Sequence, residues 1–516
     1  MTLDSGIYDR FSQQVRRFPE KTAVVFDGKT ISYQTLEHDT LSLSAFLYES
    51  GIRSGHSIGV LLPNCYEYAV VLLAASRIGV SLVPQNMSLP VDALVRSFGD
   101  TGVKWLISWH SLDSVAKQIL SALGLPQNSM CMVGGDPGSP GHLSHLAQFN
   151  RINDAEKISV DLSNPYIFTM TSGSTGDPKP ITLSQLTKIR RAEMVANLYN
   201  VSSGDVILAA TPLYHTLAER LVLMPLIIGA TTVIVAGFNP HEWLDTVARY
   251  KVSFTMAVSS QLRQLQKCLQ NGNYDVSSLR CLVSSSEALD ANTRRDLIRH
   301  LKCEFHECYG TSEVSCVTNI LFGNQMAKQS SVGTPLKDVD IIILSREGVA
   351  LPAGQVGEIA CRTPLAFSGY FNRPDLSSAA YWNGYFKTGD LGTMDSDGYL
   401  YFRGRLKEVV VTGGINVYPK DVEKILLQHP DVSECSVIPT PDERLGEVVT
   451  AVVVAKTPNL RQRTLQRFCG DKLADYQQPL RYYFVDALPK NPIGKINRRE
   501  LFKRYSNGHV EGMNYE

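Results

Sequence analysis

Residues 169–180 read TMTSGSTGDPKP and concentrate the residue types that hold phosphate. Gly173 and Gly176 let backbone N–H groups turn toward an anion, Thr171, Ser172, Ser174 and Thr175 add hydroxyl donors, and Lys179 adds a full positive charge. The same composition also describes a solvated linker. The flanks favour the cradle. Tyr166-Ile167-Phe168 is a strand-forming run, and Leu186, Ile189, Ala192, Ala196 and Tyr199 recur at helical spacing, so a strand, a tight loop and a helix are expected in order. Lys179 lies between Pro178 and Pro180, not before the Ser or Thr that ligates a metal in a P-loop, which speaks against P-loop kinase or ATPase chemistry.

The elements that must position this loop belong to a chain of 516 residues, about three to four domains' worth of sequence. Its 50 Lys and Arg balance 50 Asp and Glu, so no global field draws nucleic acid or an anionic membrane, and any polyanion must be met locally. Ten cysteines run from Cys65 to Cys469 without a CxxC pair, as reduced thiols of a cytoplasmic protein do. The N-terminal MTLDSGIYDR lacks the basic-then-apolar order of a secretion signal. The most apolar segment, Leu221 to Ala236, is too short for a membrane span and is broken by Pro225 and Gly229, so it is expected to be a helix, turn and strand in the core of a soluble protein.

Apolar β-branched runs at 57–62, 79–84, 231–236 and 339–344 alternate with helical stripes such as 67–79 and 240–250. That alternation predicts α/β layers with parallel sheets in a large N-terminal domain. From Val356 the texture shifts to short strands and turns, a β-rich subdomain. After Arg405, the helix pattern at 421–430, two strand runs and a further helix give a small α+β domain of about a hundred residues. The expected division is 1–404 and 405–516.

Four further stretches line up with the loop: CYGTSE (308–313), GYFKTGD (384–390), GRLKEVVVTGGINVYPKDVE (404–423) and NPIGKINRREL (491–501). Together, and in this order, they resemble the adenylate-forming superfamily of acyl-CoA synthetases, nonribosomal adenylation domains and beetle luciferases. The resemblance implies activation of a carboxylate by attack on the α-phosphate of ATP, then transfer of the acyl group to a thiol. Both first reactants are anions, so the site must supply positive charge and aligned donors and exclude water. Thr171 to Lys179 match the loop that holds the departing phosphates, with Pro180 replacing a common Gly. In CYGTSE, with Gly310 and Thr311 completing the motif, Tyr309 matches the aromatic face for adenine, Ser312 the hydroxyl for the α-phosphate and Glu313 the carboxylate for Mg²⁺. Asp390 resembles the carboxylate that accepts from both ribose hydroxyls, and Arg405 a second ribose or phosphate contact. Glu287, in LVSSSEAL, falls in the adenine wall, although Ser285 and Ser286 stand where glycines are frequent. Lys495 matches the catalytic lysine that bridges the substrate carboxylate and the α-phosphate, as a point charge on a flexible stem can.

In relatives the small domain is mobile: it turns after adenylation, and Lys407 lies at the matching hinge. Gly413 and Gly414 then match the loop that admits a pantetheine arm, either of coenzyme A or of an acyl carrier protein. TPLYHTLAER (211–220) resembles the acid pocket of acyl-CoA synthetases, with His215 in its lining. Thr216 falls where amino-acid-activating relatives place an Asp for the α-ammonium, so a small-molecule carboxylic acid of apolar character is expected, since an unpaired ammonium is costly to bury. Ala218 replaces a common Gly. Glu219 and Arg220 either point inward, to read a polar substituent, or form an ordinary helix face; the second is expected, since such residues are seldom fully buried.

Overall fold

A computed structural model describes residues 5–134, 159–171, 179–287, 289–323, 328–490 and 494–506. The chain divides into two compact units: Met1–Gln329 with Leu336–Val339 and Arg362–Tyr381, and Ser330–Pro335 with Asp340–Cys361 and Trp382–Glu516.

In the first unit one sheet runs in the order Met130–Val133, Val103–Trp109, Ser57–Leu61, Ser81–Pro84, Pro165–Thr171, Lys179–Ser184. Its first five strands are parallel and the last returns antiparallel. The second sheet carries, side by side, Ser315–Phe322, Glu304–Thr311, Cys281–Ser285, Phe254–Val258, Val206–Ala209, Thr231–Ile234, Thr22–Phe26 and Lys29–Ser32, parallel except for the pair at either end. Strands buried on both faces explain the continuous apolar runs of the sequence. Helix Tyr66–Ile78, apolar almost all round, is buried among them.

Leu221 to Ala236 is the expected helix, turn and strand: helix Thr216–Ile228, Gly229 in the left-handed region as its cap, and strand Thr231–Ile234. Pro225 sits inside that helix and has no N–H for the Leu221 carbonyl; the Thr232 hydroxyl donates to that carbonyl instead, at 3.0 Å. No helix among the described residues is long and apolar enough to cross a membrane.

Two sequence expectations are corrected. The 169–180 loop does not lead directly into a helix. Residues 179–184, β-branched at Ile181 and Thr182, form a strand on Pro165–Thr171, and only then does Ser184 cap helix Gln185–Leu198 by accepting from the Thr187 N–H. The run at 339–344 is not part of a parallel sheet of the first unit. It is strand Asp340–Leu344 of the second, beside Gly357–Arg362, which pairs antiparallel with Tyr385–Met394, itself antiparallel to Leu400–Arg405.

The rest of the second unit is a hairpin, Val432–Asp442 with Gly446–Ala455, joined by Val410–Thr412, Ile415–Val417 and Arg481–Phe484. Val422, Leu426, Val437, Val449, Ala451 and Leu465 form the core between this sheet and helices Pro419–Leu426 and Gln462–Gly470.

Candidate functional site

The first unit holds residues 171–179, the CYGTSE turn and segment 211–220. Ser172, Gly173, Ser174, Thr175 and Gly176 lie outside the described residues, and Thr171 ends the strand that leads to them. Lys179 opens the returning strand, and its Nζ stands 5.5 Å from the centre of the Tyr370 ring. The Tyr370 hydroxyl donates to Glu313 Oε1 at 3.4 Å. Burial, with the Glu313 charge beside it, pushes the Tyr370 phenol well up, so it stays a donor. Tyr370 is placed by segment 368–371, which adds to the edge of strand Lys179–Ser184: the Ser368 and Phe371 N–H groups donate to the Thr182 and Pro180 carbonyls, and the Thr182 N–H to Gly369. Lys179 and Glu313 are thus gathered around one aromatic ring.

Tyr309, Gly310 and Thr311 end strand Glu304–Thr311, with Tyr309 buried, and the turn Ser312–Val314 leads into Ser315–Phe322. A Cβ on Gly310 would collide with the Ser315 carbonyl, so the motif's glycine is required by the backbone of this hairpin. Ser312 and Glu313 are half-buried at the turn. A residue that sequence reasoning missed holds it: Arg191, 1% exposed, donates from Nε to the Leu365 carbonyl at 2.9 Å and from its two terminal nitrogens to the Ser312 and Glu313 carbonyls at 3.0 and 2.7 Å. Glu287 is half-buried just beyond strand Cys281–Ser285, and its carbonyl accepts from the Ser259 hydroxyl.

His215 caps helix Thr216–Ile228 at its N-terminus, its ring 4.4 Å from that of Tyr214, and Thr216 opens the helix. Asn64, also missed from sequence, pins the approach: it donates to the Thr211 and Val235 carbonyls and accepts from the Leu213 N–H at 2.8 Å. Glu219 and Arg220 are not a solvated face, correcting the expectation; they are 2% and 6% exposed. Glu219 pairs with buried Lys188, and Arg220 donates to Ser315 Oγ at 2.9 Å. Lys188 and Ser315 come from other elements, which no pattern local to 211–220 reveals.

The second unit holds the remaining predicted residues. Asp390 and Arg405 are register partners on adjacent strands, with Arg405 Nε 3.3 Å from Oδ1 of the buried Asp390 carboxylate. Lys407 is exposed in the 3-10 turn Leu406–Glu408. Gly413 and Gly414, at φ of +54° and +82°, are the exposed turn between Val410–Thr412 and Ile415–Val417. Lys495 is half-buried beside Ile496, which bridges to Lys490. The helix that follows, Arg498–Tyr505, is anchored by Arg498, whose guanidinium meets both Glu423 oxygens at 2.7 and 3.0 Å.

Among the described residues one His, Cys and carboxylate group brings its ligand atoms within 4.8 Å: Cys281, Glu304 and His306. Glu304 and His306 lie toward the start of the strand that ends in Tyr309–Thr311, and this mixed sulfur and nitrogen set is unlike the oxygen ligands magnesium takes. Glu313 offers such oxygens.

Residues 11–371 match the AMP-binding enzyme family, and residues 421–495 the AMP-binding enzyme C-terminal domain. The long-chain-fatty-acid–CoA ligase of Bacillus subtilis (strain 168) is 29% identical, over 98% of this chain and 95% of that protein. The fatty acid–[acyl-carrier-protein] ligase ScoC of Streptomyces coeruleorubidus is 28% identical over 94% of each. Among solved structures, ATP-bound MatB from Rhodopseudomonas palustris aligns with a TM-score of 0.90 at 26% identity, covering 98% of this chain and 99% of that one.

Proposed function

The chain belongs to the AMP-binding enzyme family, and from that premise we propose how its residues divide the work of an AMP-forming acid–thiol ligase. The enzyme activates a carboxylic acid with ATP as an acyl adenylate and passes the acyl group to a pantetheine thiol. The observation that carries the assignment is the grouping of Lys179 and Glu313 around Tyr370, a cation and a carboxylate at the mouth of the phosphate loop. Residues 171–179 hold the departing phosphates, Ser312 contacts the α-phosphate, and Tyr309 and Glu287 flank adenine. Glu313 holds Mg²⁺, which neutralises phosphate charge when bound. Asp390 and Arg405 take the ribose, and Lys495 brings its charge between the two anions. The small mobile domain begins at Arg405 and turns about Lys407, so that Gly413 and Gly414 admit the thiol.

The acid lacks an α-ammonium, because Thr216 supplies no countercharge, and coenzyme A is the acceptor. A carrier protein is the second reading, favoured by the likeness to an acyl-carrier-protein ligase. All ten cysteines are free thiols, which suits a reducing cytoplasm. Acid-dependent pyrophosphate exchange over a panel of carboxylic and amino acids tests the reading, with coenzyme A and a phosphopantetheinylated carrier compared as acceptors. Lys495→Ala should abolish exchange, by about a hundred-fold or more, yet spare thioester formation from supplied acyl adenylate. Exchange with amino acids alone would overturn the acid assignment, and equal loss of both half-reactions would overturn that of Lys495.

A further inference from the structure

The turn that carries Ser312 and Glu313 is not left to its own backbone preferences. It spans three residues, Ser312–Val314, between two antiparallel strands. At its exit Ser315 adopts φ of +63°, a region a non-glycine residue rarely occupies, and Gly310 lies against the Ser315 carbonyl with no room for a side chain. The Ser312 and Glu313 carbonyls both point into the protein, where Arg191 meets them. Glu313 O also accepts from the Phe367 N–H at 2.7 Å.

Three features mark Arg191 as more than packing. Its guanidinium is almost fully buried, yet its hydrogen bonds go to three backbone carbonyls and not to a carboxylate, a costly placement for a charge. Burial, with Arg220 nearby, pulls its pKa down to about 9. Apolar residues of similar volume would fill the same helix face without that penalty. A planar fork serves three carbonyls at fixed angles, which an ammonium cannot reproduce. From helix Thr216–Ile228, Arg220 braces the other end of the turn at Ser315 Oγ.

We infer that Arg191, with Arg220 behind it, is a positioning residue for adenylation: it fixes the Ser312–Glu313 backbone so that the Glu313 carboxylate is presented to the magnesium that accompanies ATP. The inference rests on the nucleotide role given to this turn above. Groups that orient a metal ligand without touching the metal typically contribute ten- to hundred-fold in affinity.

The test is calorimetric titration of the full chain with ATP, with and without Mg²⁺ and with no acid present, on the wild type, Arg191→Lys and Ser315→Gly. Glycine suits the φ of +63° and removes the hydroxyl that Arg220 holds, so that variant folds even where Arg191→Lys does not. Magnesium should tighten ATP binding to the wild type. Arg191→Lys should lose about ten-fold or more of that tightening, beyond any smaller loss of metal-free ATP affinity through Ser312, and Ser315→Gly should lose several-fold with its melting temperature kept or raised. No tightening in the wild type, or a parallel fall of both ATP affinities in Arg191→Lys, overturns the inference. So does a misfolded Arg191→Lys beside a Ser315→Gly that keeps the full magnesium effect. Pyrophosphate exchange by the wild type is run alongside. Its absence with every acid would defeat the ligase reading while leaving the ATP titrations to judge Arg191.

Discussion

Lys188 and Glu219 are both removed from water and meet each other across 31 positions of chain. Burial pushes the Lys188 ammonium down to about 8 while the Glu219 charge opposes that shift, so the ammonium depends on that carboxylate to remain ionised. Removing one partner leaves an uncompensated charge; removing both leaves an apolar contact. Lys188→Met should therefore destabilise the protein by about 3–5 kcal/mol, and Lys188→Met combined with Glu219→Leu should recover most of that loss in denaturant unfolding. A double variant as unstable as the single would show that packing, not charge, governs the site. This pair also marks a limit of reading residues from sequence. Glu219 and Arg220 look like a helix surface because such residues are seldom buried, and their partners, Lys188 and Ser315, are named only by the tertiary fold. Asp390 and Arg405 differ: their motifs singled them out, and strand register makes them neighbours.

Strand Glu304–Thr311 shows how one element joins framework to chemistry. Tyr309–Thr311 leads into the turn Ser312–Val314, while Glu307 is buried further back, with Arg294 3.9 Å away. Burial raises the Glu307 pKa to about 7, and Arg294 only partly offsets it. The native state thus holds this proton between about pH 4.5 and 7 whereas the unfolded chain has released it, so the group's contribution is full below about 4.5 and is lost as pH rises through 7. Glu307→Gln should flatten the stability profile over that window, removing a decline of at most about 1.4 kcal/mol per pH unit, as read by urea midpoints. An unchanged slope would place the titration elsewhere. Elements of this kind were legible because periodicity is local: helix Tyr66–Ile78, helix Pro240–Tyr250 and strand Thr231–Ile234 all follow their apolar patterns. Strand Lys179–Ser184 was not, because Pro180 and the polar residues beside it read as loop until Pro165–Thr171 is there to pair with them.

At the scale of the whole molecule, two half-reactions require one chain to serve two substrates in turn, and the pivot proposed for that change is Lys407. Lys407 is exposed within the 3-10 turn Leu406–Glu408, immediately after the strand that ends at Arg405. Such a turn holds φ near −50 to −70°, which is also where proline is locked. Lys407→Pro should therefore fix φ at this position and oppose any change of that dihedral. If the chain must rotate here between adenylation and thiol attack, the substitution divides the two steps: one rate survives and the other falls, by about ten-fold or more if domain movement limits it. Under the roles proposed for Lys495 and for Gly413 and Gly414, thioester formation is the expected loser if the held state is the one with Lys495 inward, opposite in direction to Lys495→Ala. Pyrophosphate exchange and coenzyme A-dependent product formation, measured on one preparation whose thermal melt matches the wild type, decide the matter. Equal changes in both rates would remove Lys407 as the pivot, and with it the division of labour proposed for residues 405–516.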